Sequence, residues 1–224
     1  MQMPGEHEVR PYGARMPRID DYKAAIALAA AELQKINPKR LENRSKCAYF
    51  HEDGREGLLV PYFGQGRRVV WPELTVTPAA GDAQIPLTEQ ILILHYLSRA
   101  TGEPLSGRSI DFRSVPGGGF YWSAFVSRAQ KPLLETFGND LDLYLQVAQT
   151  LGGEPQNLGD AAARFMAFPL APVTHVLWRG DEEFPPEANI LFDETISQHL
   201  STEDIAALAG ASVYRLMAAA FKKK

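Results

Sequence analysis

Three consecutive carboxylates, Asp181, Glu182 and Glu183, stand in the segment Leu177-Trp-Arg-Gly-Asp-Glu-Glu-Phe-Pro-Pro-Glu-Ala-Asn-Ile-Leu-Phe-Asp193, followed by two prolines and an apolar run. With Glu187 and Asp193 they could gather oxygens around a hard cation, or hold one carboxyl protonated at neutral pH through like-charge repulsion. In the second case Glu183 or Asp193 is the general acid or base, and Asp193, at the end of an apolar strand, is placed to border a cleft. The alternative is a solvated hairpin tip. A calcium loop of the EF-hand type sets acids at alternate positions about a central glycine, a pattern this segment lacks.

His95 sits inside a nearly continuous apolar run, where a buried imidazole requires a hydrogen-bond partner, a metal or a cofactor ligand. No other histidine stands at His-x-x-x-His spacing from it, which leaves a satisfied core histidine or an acid–base partner for Asp193 or Glu183. His175, on an expected strand, and His51, near an expected turn, read as surface or sheet polarity. Gly117, Gly118 and Gly119 precede a helix and could bring backbone amides to an anion. Phe120, Tyr121 and Trp122 would then stack on a planar ligand, with Trp178 a further aromatic contact and Arg113 holding a carboxylate or phosphate. The same residues also suit a flexible connection, a core stripe and a surface ion pair. Cys47 opens an apolar stretch and reads as a buried, inert thiol. No Walker lysine, dinucleotide loop or nucleophile elbow accompanies any of these groups.

The elements that must position them are legible in outline. Tyr22, Ile26, Ala29, Leu33 and Ile36 follow helical spacing from Asp20, with Asn37-Pro38 as the stop. Residues 48–50, 57–63 and 67–71 read as strands, the last two joined through Gly64-Gln65-Gly66 as a hairpin. Pro61 and Pro72 place these strands at a sheet edge or at bulges. Thr88 could cap a helix to Arg99, apolar almost all round and therefore the expected central helix. A short strand at 110–112 leads to a helix from near Phe120 to Gly138, and a third helix runs from Asp140 to Leu151 before Gly152-Gly153. Residues 173–179 and 189–192 read as strands bracketing the acidic loop and pairing as a second hairpin. Ser201-Thr-Glu-Asp204 has the form of a capping box, ahead of a helical pattern through Phe221 with a possible break at Gly210 and a basic end at Lys222-Lys-Lys224.

This pattern predicts a single α+β domain over residues 18–224, an irregular, mostly antiparallel sheet packed against several helices, after a flexible arm over residues 1–17. The 45% hydrophobic content of the 224 residues supports a real core. Twenty-three Lys and Arg against 27 Asp and Glu give a net charge of −4, which disfavours a nucleic-acid partner bound through its phosphates. No run approaches a membrane span and the opening residues lack the regions of a signal peptide, so the expected place is the cytoplasm, without a membrane. The single cysteine can form neither an internal disulfide nor an iron–sulfur site of this chain alone.

Four stretches resemble a prokaryotic family known as domain of unknown function 3786: Gln90-Ile-Leu-Ile-Leu-His-Tyr-Leu97, Phe112-Arg-Ser-Val-Pro-Gly-Gly-Gly-Phe-Tyr-Trp122, Leu158-Gly-Asp160, and Leu177 to Asp193. They span about residues 20 to 210. The resemblance implies anaerobic bacteria and archaea as the setting, and redox or one-carbon cofactor metabolism, since some relatives look to carry a cysteine-rich iron–sulfur module. This chain departs from those relatives in having only Cys47. It transfers no catalytic residue. The reading that emerges is an accessory domain binding a small anionic or planar molecule or cofactor between the Gly117 to Trp122 segment and the acidic hairpin. A carboxylate enzyme, metal-assisted or not, and a module for a protein partner are the alternatives.

Overall fold

The computed structural model describes residues 19–222; the expected arm over residues 1–17 lies outside them, as do Lys223 and Lys224. The first helix, α1 (Ile19–Leu33), ends short of Asn37-Pro38, because that dipeptide starts a helix rather than stopping one. Asn37 caps α2 (Pro38–Ser45) by accepting from the Lys39 amide at 2.9 Å. Pro38 takes the first turn, where its missing N–H has no helical acceptor to lose.

Four antiparallel strands follow in meander order: β1 (Ala48–Glu52), β2 (Arg55–Tyr62), β3 (Gln65–Trp71) and β4 (Thr75–Pro78). The β2–β3 turn is Phe63–Gly64 rather than 64–66, with Tyr62 opposite Gln65 and both turn residues at positive φ, the geometry that matches strand twist in a two-residue hairpin. Contrary to the edge placement expected from Pro61, β2 and β3 are the two inner strands. Pro61 is tolerated because β1 pairs with β2 only as far as Leu59, so no strand requires its amide on that side. Leu58, Val60, Tyr62, Val69, Trp71 and Val76 form the buried face, and Trp71 Nε1 donates to the carbonyls of Leu33 and Ile36, closing the end of α1.

Helix α3 (Leu87–Arg99) starts at Pro86, not at a Thr88 cap, and no side chain caps it. Strand β5 (Ser109–Asp111) leads through a 3-10 turn (Phe112–Ser114) into α4 (Gly118–Phe125), a π-helical turn (Val126–Gln130) and α5 (Lys131–Phe137). The π turn ends two residues before Pro132, which cannot donate to the carbonyl one turn back. Helix α6 (Leu141–Thr150) is capped by Asp140. The strands β6 (Glu154–Pro155), β7 (Ala161–Phe168), β8 (Ala171–Trp178) and β9 (Glu187–Asp193) complete a second antiparallel sheet with the order β5-β9-β8-β7-β6. The fold is α+β as expected, with two sheets in place of one.

Helix α7 (Thr202–Phe221) closes the described chain. It runs through Gly210 without a break, and the absence of a side chain there admits the π turn, since a Cβ would lie 3.3 Å from the Arg128 carbonyl oxygen. α7 packs against α3, α4, α5, α6 and the π turn; it, rather than α3, is the central helix. By length and composition it could also cross a membrane, but 56% of that stretch is buried inside the fold.

Candidate functional site

The capping box at the start of α7 brings a hydroxyl, a carboxylate and an imidazole into one hydrogen-bonded chain. Ser201 Oγ accepts from the Asp204 amide at 3.1 Å and donates to Asp204 Oδ2 at 2.5 Å. Because Asp204 bonds the Ser201 hydroxyl through one oxygen, the other is free, and Oδ1 meets His95 Nδ1 at 2.7 Å. The carboxylate is 8% exposed and the imidazole 32%. A carboxylate can only accept, so Nδ1 carries the proton and Nε2 is the nitrogen left for a ligand. The Asp204 hydrogen bond raises the His95 pKa above its ordinary value, burial opposes that rise, and the Asp204 charge adds to it. An imidazole oriented in this way can take or give a proton near neutral pH, or coordinate through Nε2.

Asp204 supplies the hydrogen-bond partner that a satisfied core histidine requires, and it stands where the enzyme alternative had set Asp193 or Glu183. Asp193 is instead 5% exposed and surrounded by donors: the Ser106 amide (3.0 Å) and hydroxyl (3.2 Å), the Gly107 amide (2.8 Å), and the Thr195 amide (3.1 Å) and hydroxyl (2.7 Å). Burial pushes its carboxyl up, but the bonds from Thr195, Ser106 and Gly107 outweigh that and hold it at about 2. Such a group is ionised and occupied at neutral pH, the opposite of a poised general acid.

The acidic loop does hang from a β8–β9 hairpin, with Trp178 opposite Glu187. Asp181 Oδ1 accepts from the Glu183 and Phe184 amides at 2.8 and 2.7 Å, an Asx turn at a tip where Glu182 and Glu183 point into solvent. The bonds from Phe184 and Glu183 lower the Asp181 pKa, so repulsion does not hold it protonated. Asp193 stands at the far end of β9, about 20 Å away along an extended strand, and cannot join these acids around a cation. Among the described residues no three His, Cys, Asp or Glu side chains gather in a metal-binding group. The loop borders an open depression of about 450 Å³ with Gly138 and Asn139.

That depression is not shared with the glycine segment. Gly117 and Gly138 lie at opposite ends of the α4–π–α5 rod, which at helical rise is about 30 Å long; the expected cleft between Gly117 to Trp122 and the acidic hairpin is not formed. Gly117 has φ +78° and packs beside Thr202, whose hydroxyl donates to the Pro116 carbonyl at 2.6 Å. A Cβ on Gly118 would fall 2.0 Å from the Phe112 carbonyl oxygen, so this glycine serves close packing. Gly119 is exposed and unobstructed. Trp122 is stacked between Phe125, 5.5 Å away, and the Arg113 guanidinium at 4.1 Å, while Tyr121 packs on the core and Phe120 is 93% exposed. Trp178 is half-exposed over Gly159.

Residues 37–215, most of this architecture, match the family model described as Domain of unknown function (DUF3786). The chain belongs to the DUF3786 family. No curated protein and no solved structure matches it. The DUF3786 region begins at the Asn37 cap and ends at Arg215, so it holds both sheets and the His95–Asp204 pair and leaves out α1, which the sequence likeness had included.

Two histidines in this DUF3786 chain are fully buried. His175 lies on β8, so of the surface and sheet positions expected for it the structure gives the sheet. Its Nε2 meets Ser212 Oγ at 2.8 Å, and that hydroxyl already donates to the Ala209 carbonyl, so the imidazole is the donor and Nδ1 is left without a partner. Burial pushes its pKa to about 3. His199, not singled out from sequence, is also fully buried, with neither ring nitrogen in a hydrogen bond of good geometry. Cys47 is 1% exposed, and burial raises its thiol to about 12 against the Ser45 hydrogen bond, which suits the inert reading.

Proposed function

We propose that this DUF3786 protein binds a small molecule at the junction of α3 and α7 and exchanges a proton with it through Nε2 of His95. The observation that carries this reading is the Ser201–Asp204–His95 chain of hydrogen bonds, which fixes the tautomer and leaves one nitrogen of a partly exposed imidazole open. An orienting carboxylate of this kind stabilises the imidazolium that forms when His95 acts as a base. Cytoplasmic action within anaerobic metabolism is the setting we propose, on the family resemblance and the single buried thiol.

The same geometry supports a second reading, a carrier in which Nε2 ligates a metal centre brought by a cofactor, since an Asp partner is the usual support of a ligating histidine. Native mass spectrometry of protein purified without oxygen, set against the denatured mass, tests both. A co-purifying small molecule lost in His95→Ala supports the site, and a metal-bearing ligand lost in that variant selects the carrier. A ligand retained equally by His95→Ala removes His95 from the function.

A further inference from the structure

A second polar cluster lies on the α3 side of α7, eleven residues from Asp204 and hence about 16 Å along the helix on nearly the same face. Its centre is Arg215. The guanidinium carbon lies 5.0 Å from the centroid of the Phe63 ring and 5.8 Å from that of Tyr62, and those rings meet edge to face at 4.8 Å. The aromatic corner holds the side chain in place without using its N–H groups. Arg215 makes no hydrogen bond or ion pair with another described residue, although it is partly buried.

Its neighbours do not neutralise it. Glu89 is a carboxylate whose charge acts on Arg215, but it is engaged by Arg67 Nε at 2.5 Å. Arg67 itself is 8% exposed and satisfied, giving Nη2 to Gln65 Oε1 at 2.7 Å and Nη1 to the Gly66 carbonyl at 3.2 Å. Two arginines therefore share one glutamate, and the unbalanced charge is that of Arg215. Tyr62, 2% exposed, adds a hydroxyl that forms no hydrogen bond with a described residue. Burial raises its pKa, so the hydroxyl keeps its proton and can donate.

A fixed guanidinium stripped of part of its water, with its fork unused and a phenol beside it, matches a planar pair of oxygens better than it matches bulk solvent. We propose that Arg215 and the Tyr62 hydroxyl bind a carboxylate or phosphate group of a small molecule. The site is independent of His95.

Thermal unfolding of the full chain in inorganic phosphate, in succinate, and in chloride at matched ionic strength tests this. The expected result is a saturable rise in Tm with phosphate or succinate. Arg215→Met, which keeps an apolar stem against Phe63 and Tyr62, should weaken the apparent affinity at least tenfold. Arg215→Lys, which keeps the charge but loses the fork, should weaken it less, Tyr62→Phe should weaken it several-fold, and His95→Ala should leave it unchanged. A response to phosphate alone identifies a phosphate group, and one to succinate alone a carboxylate. Phosphate also stabilises proteins generally by exclusion from their surface, so the difference between wild type and Arg215→Met is the readout. An equal rise in both, or no saturable rise with either anion, overturns the proposal.

Discussion

Asp204 uses its two oxygens for different purposes: one holds the start of α7 and the other holds His95. Asp204→Asn should therefore lower the His95 pKa, read by NMR titration of the imidazole, because the acceptor that favours the charged ring is lost. The linkage sign follows from the raised folded pKa. The pair contributes stability below the ordinary histidine value, and that contribution is lost as pH rises through the folded value. Asp193 has the reverse sign. Its carboxyl is held at about 2, so its contribution is complete above about pH 4 and disappears as pH falls through the folded value, about 2–3 kcal/mol in all. Asp193→Ala should cost a similar amount in urea unfolding at pH 7 and flatten the acid side of the stability profile; an unchanged profile would show that the five donors do not depend on it. Neither assignment was readable from sequence. Asp204 is 109 positions from His95, and a carboxylate at the end of an apolar strand looks the same whether it borders a cleft or closes a loop.

At the scale of elements, the sequence was legible where a local rule acts alone. Ser201 caps α7, α6 starts next to Asp140, and the two strands around the acidic loop pair as expected. It misled where one signal has two meanings. Asn37-Pro38 stops one helix pattern but also supplies the cap and first turn of α2. β7, Ala-Ala-Ala-Arg-Phe-Met-Ala-Phe, lacks β-branched residues and gave no strand signal, yet it is an inner strand with Ala161, Ala162, Ala163 and Ala167 all buried. The glycine run has the same ambiguity, and its members separate by experiment. Gly118→Ala should destabilise by about 1–3 kcal/mol, since its methyl group would meet the Phe112 carbonyl. Gly119→Ala, on an exposed helical position with nothing within 4 Å, should stabilise by about 0.5–1 kcal/mol through the unfolded chain. Equilibrium unfolding of both variants checks the opposite signs; equal small effects would return the segment to the role of a flexible connection.

The whole molecule depends on a junction that no local pattern encodes. Phe168 of β7 stacks on Tyr96 of α3 at 4.3 Å and tilts against Tyr62 of β2 at 5.2 Å. The Tyr96 hydroxyl donates to the Ser45 carbonyl of α2 at 2.6 Å and accepts from the Leu170 amide at 3.2 Å. The Phe63 amide, in the turn of the first sheet, donates to the Ala167 carbonyl of the second at 3.0 Å. These contacts join the two sheets through α3, the helix that also carries His95 and Glu89. If they make one cooperative unit, unfolding should be a single transition with coincident fluorescence and circular dichroism. Phe168→Ala should lower stability by about 3–5 kcal/mol, with amide protection falling together in β2–β3 and β7–β8. Loss confined to β7–β8 would mean that the sheets fold separately. His95 and Arg215 would then be oriented by different bodies, and a ligand at one could change affinity at the other only through α3 and α7. A shared loss would place both sites on one rigid frame, where substitution at Arg215 should leave the His95 titration unmoved.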